Sequence, residues 1–319
     1  KKKELIFLQS IGPRLGGLLT KDIGELKRIF LSPGPIFDPE DRMDDYWGYT
    51  EAFYSVGFRP GDVVQVTFNY HLSPAGLMFE EPLRNLGCAS IPAGPTDPGT
   101  QLDIMQKLRV SGYVGTASYL MHLAQKAEEK GINLRKDLFQ EVAFVTGERL
   151  SEKMRNQLEK KFDIILRQGY GTADVGCIGY ECFHKTGLHI SNRCYVEICH
   201  PDTGIPLKDG EVGEIVVTSF NKTYPLIRLA TGDLSYIDRA PCACGRTSPR
   251  LGSIVGRVDT TARIKGMFVY PHQVEQVMAR FEDIKRWQIE VINPGGIDEM
   301  ILYVEASNFH QEDELLHLF

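Results

Sequence analysis

The residues whose chemistry is easiest to name are cysteines and histidines. Cys242 and Cys244 form a Cys-x-Cys pair in a turn bounded by Pro241, Gly245 and Pro249, and the earlier run CIGYECFHKTGLHI supplies Cys182, His184 and His189. Zn²⁺ takes four such thiolate and imidazole ligands tetrahedrally, and a closed set of four is a structural site. The set read here is Cys182, His189, Cys242 and Cys244, with His184 as the rival for the histidine place. Free thiols in a loop are the plainer reading, but few apolar residues are available to pin this loop, and a metal would do so. Cys88, Cys194 and Cys199 lie in strand-like apolar patterns and read as small core residues, while Cys177 stays unassigned. Asp233, in the turn Thr231-Gly232-Asp233, is a second kind of candidate. An ionised carboxylate is a pure acceptor that can hold two hydroxyls at once, although such a residue also serves turns by accepting backbone N–H groups. Asp259, in the segment Gly256-Arg257-Val258-Asp259, would by itself read as part of a linker.

In succession, RLATGDL, CACGRT and the run from GRVD to YPHQVE resemble the second half of the adenylate-forming ligases, specifically the phenylacetate-CoA ligase branch. The resemblance implies that Asp233 grips the ribose hydroxyls of AMP and that Arg257 sits beside Asp259, the hinge about which two domains rotate. Upstream, ILRQGYGTADVG resembles the family's Tyr-Gly-x-Ser/Thr-Glu stretch. This implies Tyr170 stacked on adenine with Gly171 beside it, and Asp174, shortened from Glu, on Mg²⁺, a hard cation that suits carboxylate oxygen. Ala173 stands at the hydroxyl position, and Thr172 offers a hydroxyl one residue earlier. VAFVTGERL resembles the family's Gly-Ala-Glu-Pro turn and would lay Gly147 and Glu148 against adenine. As an isolated turn it would only start a helix, with Ser151 as cap. Phe68, Tyr70 and His71, after a strand, fall where the family lines its acyl or aryl pocket. Asp174 and Arg257 are the catalytic candidates. Branch members often carry the same Cys, Gly-Leu-His and Cys-x-Cys-Gly signals, so structural Zn²⁺ joins ATP/AMP, Mg²⁺ and coenzyme A as the implied cofactors. The implied activity joins a carboxylic acid, an aryl acid foremost, to AMP and passes the acyl group to coenzyme A.

The sequence departs from the family most sharply at LSPGPIFDPED. A phosphate loop works by aiming free backbone N–H groups and hydroxyls at an anion. Pro33 and Pro35 lack an N–H, and Ile36, Phe37 and Asp38 stand where small residues are expected, so only Ser32 and Gly34 fit. The family's late lid lysine finds no counterpart up to Phe319, and Lys265 reads as a surface residue. Two alternatives therefore remain: an enzyme adenylating another acceptor, such as a deazaflavin hydroxyl, and a non-catalytic nucleotide-binding relative.

These residues need elements to hold them. Leu19, Ile23, Leu26 and Phe30 recur at helical spacing after Thr20, and the proline-rich stretch that follows reads as a loop. DDYWGYTEAFYSVGF reads as an aromatic helix ending near Gly57. Strands are expected over Val63 to Phe68, in a buried run ending at Pro92, and at GYVGTA, VAFVTG and Ile164 to Leu166, with helices between them. Such alternation argues for an α/β fold with mostly parallel sheets, whose ligands gather at the carboxyl ends of strands. The expected division is a large adenylate-forming-type domain over 1–257 and the start of a small α+β C-terminal lid over 258–319. The lid would hold strands at Ala262 to Ile264, Met267 to Tyr270, Arg286 to Ile292 and Met300 to Val304, a helix His272 to Phe281, and a last helix in HQEDELLHLF.

Composition sets the outer limits. The 319 residues are 42% hydrophobic and 24% charged, ordinary for a globular protein, and the net charge of −6 gives no basic footprint for nucleic acid. No apolar run approaches the roughly 20 residues that span a bilayer, and KKKELIFLQSIG lacks a cleavage signal. Seven cysteines without an export signal favour metal ligands and buried thiols over disulfides. The expectation is a cytoplasmic protein whose partners are a carboxylic acid and a nucleotide, with no nucleic acid or membrane partner and a homodimer left open.

Overall fold

Between residues 63 and 172 strands and helices alternate and build the parallel half of a large sheet. The computed structural model describes residues 1–264, 267–269, 271–281, 283–292, 294, 299–307 and 314–315. Helix α1 (Lys2–Ile11) is followed by a hairpin of β1 (Arg28–Ser32) and β2 (Ile36–Glu40), then helix α2 (Thr50–Val56). The alternating part comprises β3 (Val63–Val66), α3 (Ala75–Asn85), β4 (Ala89–Pro92), α4 (Pro98–Lys107), β5 (Gly112–Gly115), α5 (Ala117–Glu129), β6 (Val142–Val145), α6 (Glu152–Phe162) and β7 (Ile165–Thr172). Its strands lie parallel in the order β4-β3-β5-β6-β7. The chain steps from β3 to one side and returns to its other side, which leaves a crevice at the carboxyl ends of the strands.

Local chemistry explains these elements. Asp97, Thr116 and Ser151 each accept a backbone N–H in the first turn of α4, α5 and α6, respectively, the N-cap role that their side chains favour. Strands β5 and β6 are buried along their whole length, as a sheet covered on both faces requires. One core is aromatic, with Trp47, Tyr49, Phe53, Phe58, Phe79 and Phe144 packed together. The other sets Leu120, Leu123 and Ala127 of α5 against Leu158 and Leu166.

Beyond β7 the sheet continues antiparallel through β8 (Gly176–Tyr180), β9 (Leu188–Ile190), β14 (Arg250–Leu251) and β13 (Ile237–Asp238), nine strands in all. A second, antiparallel sheet runs β10 (Cys194–Cys199), β11 (Gly213–Ser219), β12 (Leu229–Ser235) and β15 (Gly256–Arg257). The last part pairs β16 (Ala262–Ile264) with β17 (Met267–Val269), adds helix α7 (Pro271–Met278), and pairs β18 (Ile284–Ile292) with β19 (Glu299–Ala306). Val274, Met278 and Phe281 form its own small core. Lys265, Tyr270 and most of the expected final helix lie outside the described residues.

Several local expectations change. The helix expected over Leu19 to Phe30 is only a 3₁₀ turn at Ile23–Glu25, closed by the carboxylate of Glu25 on the Asp22 N–H. Leu26 then turns extended and Ile29, Phe30 and Leu31 enter β1, because β2 offers antiparallel partners that a lone helix face lacks. The proline-rich stretch is thus a hairpin whose turn is short, and Ile36 to Glu40 is a strand. The aromatic helix starts late because Gly48 sits at a φ of 72° and Asp45 accepts from the Tyr49 and Thr50 N–H groups. The strand ending at Pro92 is an edge strand, half exposed, and the strand expected over Ile164 to Leu166 runs on as β7 to take in Tyr170 and Gly171.

Candidate functional site

Strand β7 leaves the parallel half of the large sheet and carries Tyr170 toward β12 of the second sheet. The Tyr170 hydroxyl donates to Asp233 Oδ2 at 2.8 Å and lies 3.2 Å from Thr231 Oγ1. Burial, with the Asp233 carboxylate beside it, raises the Tyr170 phenol well above its ordinary range, so the hydroxyl keeps its proton and donates. Asp233 stands opposite Arg257 in the β12–β15 register, and Arg257 Nη1 donates to its other oxygen at 2.9 Å. Arg257 Nε also donates to Asp259 Oδ1 at 3.0 Å. Each carboxylate oxygen has one further lone pair, so Asp233 keeps acceptor capacity for two hydroxyls. Thr231, Gly232 and Asp233, expected as a turn, lie inside β12, where the register against β11 is interrupted next to Glu214, and Glu214 accepts from the Gly232 N–H at 3.1 Å.

The glycine of this strand is required by a close approach. A Cβ on Gly171 would lie 2.2 Å from the Tyr49 hydroxyl and 2.4 Å from the Gly176 carbonyl. The following turn places the Thr172 hydroxyl on the Val175 N–H at 3.3 Å, while the Ala173 carbonyl accepts from Trp47 Nε1 at 3.1 Å. The turn also buries the Asp174 carboxylate, whose Oδ2 lies 2.8 Å from the Lys2 ammonium of α1. Next to it is Asp38 of β2, 1% exposed. Burial first, and then the charge of Asp174, push the Asp38 carboxyl up to about 7. Burial pushes the Glu214 carboxyl up, and the charge of Lys1, which precedes α1, opposes that shift. The first turn of α1 therefore reaches the Asp174 carboxylate.

At the carboxyl ends of β3 and β6 lie Phe68 and Gly147. Gly147 adopts a φ of 84° and faces the Phe68 ring, which packs 4.9 Å from Phe79. The Glu148 carboxylate accepts from the N–H and hydroxyl of Ser118 at 2.6 and 2.8 Å, and so binds the start of α5. Tyr70 packs on Gly76, and its hydroxyl is buried without a hydrogen-bond partner among the described residues. His71 is exposed and donates its backbone N–H to Asn69 Oδ1. Tyr70 and His71 line a concavity of about 470 Å³ with Pro92 to Thr96. The structure thus joins Tyr170, Asp233, Arg257 and Asp259 through direct contacts, while Phe68, Tyr70, His71 and Gly147 line strand ends beside them.

The Cys and His set is compact. Ligand atoms of Cys182, His189, Cys242 and Cys244 all lie within 4.8 Å of one another. The Cys182 and Cys242 sulfurs are 3.7 Å apart, and Cys244 Sγ is 3.4 Å from His189 Nε2. With Zn–S near 2.3 Å, a tetrahedron has edges of about 3.8 Å, close to these separations. His189 Nδ1 meets the Ser248 hydroxyl at 3.2 Å, which leaves Nε2 facing the thiols, as a metal-bound imidazole requires. Burial pushes the Cys182 thiol up to about 11. Cys242 is drawn down to about 5, against its burial, by hydrogen bonds from the Cys244 N–H and thiol, Thr186 and His189. The His184 side chain is exposed; its backbone N–H serves the Cys182 sulfur and its ring is outside the set. Cys88, Cys194 and Cys199 are buried, as expected, and so is the unassigned Cys177.

Sequence reasoning missed Lys2, Glu214 and the engagement of Asp38. The acidic residue inside FDPE was the available signal for Asp38, but its apolar neighbours concealed that it points inward. Nothing near Lys2 in the sequence announces its partner, since the contact spans most of the large domain.

Comparison with known proteins completes the description. Residues 47–222 match the family model of the AMP-binding enzyme, and residues 266–318 match that of the AMP-binding enzyme C-terminal domain. The chain is 33% identical over 259 residues to a phenylacetate-coenzyme A ligase of Thermus thermophilus, covering 79% of this chain and 58% of that one. It is 30% identical over 275 residues to the Escherichia coli phenylacetate-coenzyme A ligase, covering 82% and 61%. The chain therefore spans only 58–61% of the length of these curated relatives. Among solved structures, 2-hydroxyisobutyryl-CoA ligase in complex with 2-HIB-AMP superposes with a TM-score of 0.83 at 24% identity, over 96% of this chain and 68% of that one. ATP-bound MatB from Rhodopseudomonas palustris gives 0.69 at 16% identity, over 93% and 62%. At these identities the two structures show a shared fold.

Proposed function

The chain belongs to the family of AMP-binding enzymes, and from that premise we propose that it serves an AMP-forming acid–thiol ligase. The ligase activates a carboxylic acid, an aryl acid in the first instance, as its adenylate and transfers the acyl group to coenzyme A. The observation that carries this reading is the contact chain Tyr170–Asp233–Arg257–Asp259, which links β7 of one sheet to β12 and β15 of the other. The phenylacetate-coenzyme A ligases that the chain resembles support the choice of acid and thiol.

In this reading Asp233 accepts the ribose hydroxyls, with Arg257 holding its carboxylate in place and in charge. Tyr170 presents its ring to adenine while its hydroxyl fixes Asp233, and Gly171 lets the base approach the strand. Gly147 and Phe68 shape the neighbouring wall, Thr172 and Glu148 stiffen its turns, and the concavity beside Tyr70 and His71 takes the acid. Asp174 has the hard oxygen donor that Mg²⁺ prefers, and its unsatisfied oxygen fits such an ion. Magnesium, when bound, offsets phosphate charge. The protein's work is otherwise positional: it holds carboxylate and phosphate in line and surrounds developing charge with fixed donors. Residues 258–319 act as the lid, pivoting at Asp259, and Cys182, His189, Cys242 and Cys244 hold a structural zinc. A cytoplasmic setting suits cysteines that form no disulfide.

A second reading is favoured by one feature, the hairpin whose turn carries Pro33 and Pro35 and so is short of phosphate-binding N–H donors. In it the chain binds AMP without turning over. Pyrophosphate release across a panel of aryl and alkyl acids separates the two. Acid-dependent release is the expected result; AMP binding without release under any acid would replace the first reading by the second.

A further inference from the structure

The hairpin that replaces a phosphate loop brings a carboxylate to the site where donors are expected. Asp38 of β2 is 1% exposed, and the Asp174 side chain is equally buried. The two carboxyls are direct neighbours. Among the described residues, neither oxygen of Asp38 and not Oδ1 of Asp174 has a hydrogen-bond partner. Buried carboxylates are ordinarily paired, hydrogen-bonded or bound to a metal. Here two lie together, supplied by different elements: one by the hairpin, one by the turn between β7 and β8. The neighbouring cation, the Lys2 ammonium, reaches Oδ2 of Asp174 at 2.8 Å, and the Ser32 side chain and the Asp174 carboxyl face Asp38, so among the described residues one cation stands beside four carboxyl oxygens. Two carboxyl groups, with no nitrogen or sulfur ligand, suit a hard divalent cation.

We propose that Asp38 and Asp174 together form a divalent-cation seat, in which Asp38 is a second protein ligand contributed by the proline-rich hairpin. The seat rests on the nucleotide reading above only for its purpose. A hairpin short of N–H donors does not hold phosphates directly, but it holds the cation that does. A one-carboxylate site needs the nucleotide's own phosphates to retain Mg²⁺, whereas two buried carboxylates retain a cation without nucleotide. Lys2 competes with the cation for Asp174 and is displaced when it binds.

Titration of the full chain with Mn²⁺ alone, followed by electron paramagnetic resonance of the free ion, tests this directly. The expected result is saturable binding of one Mn²⁺ per chain in the absence of nucleotide. Binding should weaken at least tenfold in Asp38→Asn and in Asp174→Asn, and tighten in Lys2→Met. Circular dichroism and metal-free AMP calorimetry of the same variants check that the fold and the ribose site survive. No Mn²⁺ uptake without nucleotide, or uptake unchanged in a folded Asp38→Asn protein, overturns the proposal. Failure of AMP to bind while Mn²⁺ still binds would count against the nucleotide reading and leave the cation seat standing.

Discussion

At the scale of residues, the account turns on how fully each polar group is engaged. Asp233 is already held by Tyr170 and Arg257, so its orientation is set before any ligand arrives. Preorganisation of this kind lowers the cost of binding. Removing the hydroxyl in Tyr170→Phe leaves the ring but frees Asp233 to rotate, and AMP affinity should fall by about 1 kcal/mol, the net worth of one hydrogen bond. Calorimetry of the variant against the wild type reads that fall, and an unchanged affinity would show that Tyr170 does not orient Asp233. The zinc set makes its own residue-scale prediction. Metal analysis of purified protein should find one zinc per chain, and Cys242→Ser should lose it together with several degrees of thermal stability. Zinc retained in that variant would remove Cys242 from the set. The sequence made this cluster legible because the chemistry of Cys and His narrows the choices, and spacing did the rest. It could not separate His184 from His189. That choice depends on β9 turning the His189 ring inward while His184 stays exposed in the connection from β8, a tertiary fact.

At the scale of elements, the site is only as rigid as β7. Arg155 of α6 forms a bidentate pair with Glu181, at 2.7 and 2.9 Å, and Glu181 also accepts from the Gln168 backbone and side chain. This buried network fastens α6 to the strand that carries Tyr170. Arg155→Ala leaves Glu181 buried and uncompensated, which costs about 3–5 kcal/mol, and urea unfolding should show a loss of that size. The hairpin is tied down differently. Asp41 receives Lys21 at 2.8 Å and the hydroxyl of Thr223. Partial burial works against its charge, yet hydrogen bonds from Lys21, Thr223 and the Arg42 N–H win and lower its pKa. A lowered carboxyl contributes stability above its unfolded pKa, near 4, that is lost as pH falls through the folded value. Asp41→Asn should therefore cost about 1.5–3 kcal/mol near pH 7, with the difference from wild type shrinking on acidification below about pH 4. An equal deficit at pH 7 and pH 3 would argue that the contact is steric. The strands and helices between Val63 and Phe162 could be read from periodicity and capping residues because local signals there agree with tertiary packing. The stretch from Leu19 to Glu40 misled because its helical spacing is overridden by strand pairing, which no local window contains.

At the scale of the whole molecule, two sheets of different strand orientation meet where Tyr170 bonds Asp233. The fold class was legible in the alternation of elements, and the family in motif order. The closeness of Lys2, Asp38 and Asp174 was not, because those residues are brought together only when α1, the hairpin and the β7–β8 turn assemble. Among the described residues no helix is long and apolar enough to cross a membrane; the cleft lies on an α/β scaffold. Its central claim is that this cleft holds an adenosine nucleotide. Isothermal titration of the chain with AMP, in parallel with Asp233→Ala, tests it most directly. The account predicts one saturable site per chain whose heat disappears in the folded variant; wild-type protein that takes up no AMP, or a variant that binds it equally well, would contradict it.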